Sequence, residues 1–153
     1  MQLGHSVEES EIEAFRWYLI GSKNGDAFSQ NAVGILYEEG RFWLDKNDAQ
    51  AVKYYKKAAE ENDDGYAQIN LGFMYQEGRG VPKDVKKGVA LWAKAAEKGI
   101  PKALNNMGVC YQNGTGVEKD LEKASEVGGW GYHPSLQRAD PPDLRKKKNA
   151  CYR

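Results

Sequence analysis

At 153 residues the chain can build one domain with a real core. Apolar residues make up 41% and charged residues 29%, a folded composition, and 22 basic residues balance 22 acidic ones, so the chain lacks the positive field of a dedicated nucleic-acid or membrane-surface binder. No apolar run reaches the length of a bilayer span, and the polar, acidic start MQLGHSVEESEIE has none of the marks of a signal peptide; a cytoplasmic protein that inserts into no membrane is the expectation.

In chain order, the first periodic stretch is AFRWYLIGSKNG at 14–25, a weak copy of a block that returns as AVKYYKKAAEEN at 51–62 and GVALWAKAAEKG at 88–99. Alternating with it is a second block: SQNAVGILYEEG at 29–40, AQINLGFMYQEG at 67–78 and ALNNMGVCYQNG at 103–114. The central glycines Gly34, Gly72 and Gly108 recur after 38 and then 36 residues, and Tyr37, Tyr75 and Tyr111 follow them. Between the blocks lie the turns GRGVPKD at 78–84 and GTGVEKD at 114–120; the corresponding stretch GRFWLDKND at 40–48 is longer and lacks the second glycine.

Both blocks read as helices. Ala67, Leu71, Gly72 and Tyr75 share one helical face, and so do Val89, Trp92, Ala95 and Ala96, while alanine, lysine and glutamate fill the other positions. A mid-helix glycine costs about 1 kcal/mol relative to alanine. Its recurrence predicts close approach, with Tyr55 or Trp92 of the partner helix lying on the bare backbone. Gly78 and Gly114 suit left-handed helix ends, and Asp84 and Asp120 suit the starts of the next helices. The unit is a helical hairpin that cannot bury both its apolar faces alone. Stacked copies can, which makes an all-α solenoid of antiparallel helix hairpins.

Ala67, Leu71, Gly72, Tyr75, Gly78, Gly80, Val81, Asp84, Trp92, Lys94, Ala95, Ala96 and Gly99 carry a resemblance to the Sel-1-like repeat family, a relative of the tetratricopeptide repeats. The third copy resembles it through Ala103, Gly108, Tyr111, Gly114, Gly116, Val117, Asp120, Lys123 and Ala124. The resemblance covers residues 12–127: a partial repeat at 12–25, repeats at 26–62 and 63–99, and a truncated repeat at 100–127. It implies a right-handed, tetratricopeptide-like superhelix with an adaptor or scaffold role, binding a peptide or protein segment on its concave face. Register with the family places Phe28, Asn31, Ile35 and Glu38 on that face in the first repeat. Tyr66, Ile69, Phe73 and Gln76 follow in the second, and Lys102, Asn105, Val109 and Gln112 in the third. For Ile35, Phe73 and Val109, packing between neighbouring repeats is the equal alternative.

Residues 128–153 depart from the family. Gly128 and Gly129 interrupt the last helix, and Pro134, Pro141 and Pro142 forbid a long one afterwards. This irregular basic tail is either a cap, with Trp130, Tyr132 and Leu136 over the end of the stack, or an unrelated extension. Its run Arg145, Lys146, Lys147, Lys148 reads as a solvated segment, with a nuclear-localisation or anionic-surface contact as the alternative.

Little points to catalysis or metal binding. The repeat tyrosines and Trp92 read as core, not as a ligand cage, and the glycine turns follow helices and lack a Gly-Lys-Ser/Thr ending, so they are not phosphate loops. His5 and His133 stand in no ligand spacing, Cys110 reads as a small buried apolar residue, and Cys151 makes no prenylation box. No serine stands in nucleophile spacing with a lysine or histidine. An enzyme is therefore not expected, nor a cofactor. A small-molecule hydrolase of the kind linked to some related repeat proteins is the alternative, and an immunity or inhibitor protein, itself a binder, is a third.

Overall fold

A computed structural model describes residues 3–128, with side chains from 9 to 127. The basic run, the aromatic cap, His133 and Cys151 lie outside the described residues, and His5 is described only as backbone. Seven helices are described and no strand among them: α1 (Leu3–Lys23), α2 (Ala27–Glu39), α3 (Asp48–Lys56), α4 (Gly65–Glu77), α5 (Val85–Glu97), α6 (Pro101–Asn113) and α7 (Leu121–Gly128). Consecutive helices pack on one another, and α2–α3, α4–α5 and α6–α7 form the closest pairs. α1 begins at Leu3, ahead of residue 12, where the family resemblance starts.

Each hairpin is closed in the same way. The side chain of the residue before the second helix accepts from a backbone N–H of the first turn: Asn47 from Gln50, Asp84 from Lys87, and Asp120 from Lys123, all at 3.0 Å. The backbone N–H of that same residue donates to the carbonyl of the repeat tyrosine: Asn47 to Tyr37, Asp84 to Tyr75 and Asp120 to Tyr111, at 2.8, 2.8 and 2.9 Å. One residue thus starts a helix and ties it to the end of the previous one, which satisfies backbone groups that a helix terminus otherwise leaves open.

The mid-helix glycines make the predicted close approach. A methyl group on Gly34 would sit 2.6 Å from the Tyr55 ring, and one on Gly72 would overlap the Trp92 indole. Gly72 and Gly88 also face each other, since a methyl on Gly88 would lie 2.6 Å from the Gly72 carbonyl oxygen. α4 and α5 therefore cross almost backbone to backbone, and the large ring one turn beyond fills the groove so made.

The turn after each first helix reaches back to the preceding hairpin. Gly80, at φ 67, brings its backbone against the Asp48 carbonyl at the start of α3, and Gly116 does the same against Val85 and Val89 of α5. The first turn has Phe42 in this place, and Phe42 adopts φ 62, a conformation that favours glycine. Here side chains make the contact instead of backbone: Phe42 and Trp43 stack at 5.7 Å, and Trp43 meets the edge of Phe15 on α1 at 5.7 Å.

Repeat 1 carries one more residue after its second-helix block than repeat 2 does. A π-helical turn at Lys57–Glu61, continuous with α3, absorbs it without breaking the helix.

Candidate functional site

The first helices α2, α4 and α6 lie side by side along one face, and a groove of about 260 Å³ runs between them. α2 contributes Asn31, Ile35, Glu38 and Glu39, α4 contributes Tyr66, Ile69 and Asn70, and α6 contributes Lys102, with Tyr55 reaching in from α3. The helix starts are set by Asp26, which accepts from the Ser29 N–H at 2.9 Å, by Asp64, which accepts from the Ala67 N–H at 2.8 Å, and by Pro101 at the first position of α6. The Ser29 hydrogen bonds hold the Asp26 carboxyl below its ordinary range.

Six of the twelve residues placed on the concave face by family register meet in this groove: Asn31, Ile35, Glu38, Tyr66, Ile69 and Lys102. Tyr66 is the exposed ring, at 56%. Ile69 is a buried floor, and Ile35 is half-buried and also touches the core around Tyr55 and Leu71. The other six do not line it. Phe28 is exposed beside Tyr18 of α1, with ring centroids 6.3 Å apart. Phe73 turns inward and meets Trp92 edge-on at 4.8 Å, because its position faces the hairpin partner. Gln76 is half-buried near Gly88, and Asn105, Val109 and Gln112 are half-buried on α6.

Glu38 is not an open groove contact. It is buried, accepting from the Tyr55 hydroxyl at 2.6 Å and from Arg79 Nη1 at 3.1 Å. Arg79 also forks onto Asp48 through Nη2 at 2.8 Å and Nε at 3.2 Å. Burial pushes the Tyr55 hydroxyl well above its ordinary range, so it stays a donor. The hydrogen bond to Asp48 raises the Arg79 guanidinium. This cluster clamps the turn of the second repeat onto the first.

Asn70, Glu39 and Tyr55 are the groove residues that the register of the first helices does not indicate. Asn70 Nδ2 donates to Asn31 Oδ1 at 2.9 Å, linking adjacent first helices. Asn70 is one place beyond the residue aligned with Asn31. The side a helix turns to the next repeat differs from the side it turns to the previous one, so contacts between repeats join non-equivalent positions.

Asn106 of α6 aligns with Asn70, but Ile69 stands where Asn31 would answer it. Asn106 is fully buried, and neither amide atom has a hydrogen-bond partner among the described residues. A buried amide in that condition destabilises a fold. Asn106→Leu, which keeps the branching and adds apolar volume, is expected to stabilise the protein by about 1 kcal/mol in urea denaturation. A stability loss greater than that would mean the amide is satisfied in solution.

The remaining candidates are structural. Tyr75 is buried, with Lys87 Nζ 4.7 Å from its ring centroid; Tyr111 lies under Lys123 at 5.7 Å and Tyr37 stacks on Tyr54 at 5.9 Å. Cys110 is buried with Ala103 and Met107. Among the described residues no group of His, Cys, Asp and Glu could hold a metal, and no helix is long and apolar enough to cross a membrane.

The chain matches the model of the Sel1 repeat at residues 1–26, 27–63, 65–100 and 101–124. Among solved structures it is similar to c5321, a protective antigen present in uropathogenic Escherichia coli strains that displays an SLR fold. The identity is 36% and the TM-score 0.70, over 74% of this chain and 24% of that one. It is also similar to a Sel1 repeat protein from Oxalobacter formigenes, at 41% identity and TM-score 0.64, over 67% of this chain and 41% of the other. The chain thus spans less than half the length of either structural relative. No curated protein matches it.

Proposed function

The chain belongs to the Sel1 repeat family, and from that premise we propose that it is an interaction module holding a peptide or protein segment in the groove of α2, α4 and α6. Sel1 repeats are generally protein–protein interaction modules. The observation that carries the reading is the Asn31–Asn70 pair beside the exposed Tyr66 ring. Their mutual bond uses one Asn70 donor and one Asn31 lone pair. The Asn31 N–H groups and the Asn70 carbonyl are left to meet a peptide backbone, while Tyr66 supplies an aromatic anchor. Lys102 and Glu39 place opposite charges along the rim, which suits a segment of mixed charge.

The test is affinity capture followed by mass spectrometry, comparing the intact chain with Tyr66→Ala/Asn70→Ala and with Lys53→Ala as a control away from the groove. The double variant should lose about tenfold or more of the captured partner, with unchanged helicity and a melting temperature close to the parent. Undiminished capture by the folded double variant would sink the groove as the binding site.

A further inference from the structure

α1 keeps in solvent a face that its counterparts bury or make polar. In repeat register Trp17 stands where α3 has Tyr54 and α5 has Leu91. Leu91 is 8% exposed and belongs to the core around Ala51, Val52 and Tyr55 of the preceding hairpin, and Tyr54 is half-buried on Tyr37. Trp17 is 64% exposed. One turn on, Ile20 is 49% exposed at a position that the other two helices give to Lys57 and Lys94. Ile12, two turns before Ile20, is also exposed, where α5 has Lys86. Ile20 is thus apolar where both other helices carry lysine, Ile12 stands where they carry Ala49 and Lys86, and an exposed apolar patch of this kind marks an interaction surface.

The charges on the same face indicate the occupant. Glu9 and Glu13 lie in the first part of the described helix, and Arg16 and Lys23 in the second. At helical spacing they alternate with Ile12 and Ile20 on one side. A like helix laid antiparallel across this face brings Glu9 to Lys23 and Ile12 to Ile20 of its neighbour, twice by symmetry, and sets Arg16 beside its own copy at the axis with Glu13 of the neighbour within one turn of it. A parallel arrangement would set Glu9 on Glu9 and Lys23 on Lys23.

We propose that α1 pairs with α1 of a second copy of this chain, forming an antiparallel, two-fold symmetric dimer with Trp17, Ile20 and Ile12 at its centre. Such an isologous contact closes on itself and stops at two copies. It leaves the groove of α2, α4 and α6 open in both, so the dimer and the binding role stand or fall separately.

Sedimentation equilibrium of the intact chain tests it. The expected mass is twice 17.1 kDa at concentrations up to ~100 µM, well above a dissociation constant in the low micromolar range. Trp17→Glu should sediment as a monomer with unchanged helicity, since this side chain projects into solvent. Glu9→Lys and Lys23→Glu should each weaken the dimer about tenfold, and the two together should restore it. A monomeric parent chain, a Trp17→Glu variant that still dimerises, or a double charge swap no better than either single reversal would each overturn the proposal.

Discussion

Trp92→Ala is expected to lower stability by about 3–5 kcal/mol, the range for removing a fully buried large aromatic. In a chain of this size that corresponds to a fall in melting temperature on the order of 10 °C. The indole is completely buried, lies over Gly72 and meets the edge of Phe73. Its Nε1 donates to the Ile69 carbonyl at 3.0 Å, so the ring is fixed by a hydrogen bond as well as by contact. Removing it opens a cavity that the near-touching backbones of Gly72 and Gly88 cannot collapse to fill. Trp92→Phe should recover more than half of the loss, because the volume largely returns and only the hydrogen bond is missing. Urea denaturation followed by circular dichroism measures both; a Trp92→Ala loss under 1.5 kcal/mol would show that α4 and α5 do not depend on this ring.

The place of that ring is legible in the amino-acid sequence through Gly72. A glycine inside a helix, repeated at Gly34, has no local benefit and therefore reports a neighbour, and the position that is aromatic in every second-helix block is that of Tyr18, Tyr55 and Trp92. The caps at Asp84 and Asp120 are legible for a similar reason, since aspartate returns at the same point of the second and third copies, where the first has Asn47. Features belonging to a single junction are not. Asn31 meets Asn70 off register, and Phe42 takes a backbone conformation that glycine holds elsewhere. A π turn hides one inserted residue inside a helix that would otherwise read as regular. Periodicity reveals what every copy shares, whereas the contacts that distinguish one junction lie in the departures from it. The groove is half legible for this reason: register finds the face, but the choice between groove and interior turns on one residue of helical rotation, as Phe73 and Glu38 show.

Glu38 is the departure with the largest consequence. The later repeats have Gln76 and Gln112 at its position, and the first pairs it with Tyr55 where the second has Trp92. Trp92 meets its hydrogen-bonding need on a carbonyl of the helix it packs against, whereas the Tyr55 hydroxyl lands on the Glu38 carboxylate. A carboxylate taken out of water needs a cation, and Arg79 supplies it from the turn of the next repeat while forking onto Asp48. Arg79→Met is therefore expected to destabilise the protein by about 2–3 kcal/mol, below the figure for a fully buried pair because the guanidinium is partly exposed. Glu38→Gln leaves an oxygen for Tyr55 and removes the charge that calls for Arg79. The double variant should then lose about 1–2 kcal/mol less than the sum of the two single losses. Much of that coupling should persist at 1 M salt, since Glu38 is shielded from mobile ions. Strict additivity in the double-mutant cycle would mean that Arg79 acts through Asp48 and Glu77, and that the charge on Glu38 plays no part in joining the first two repeats.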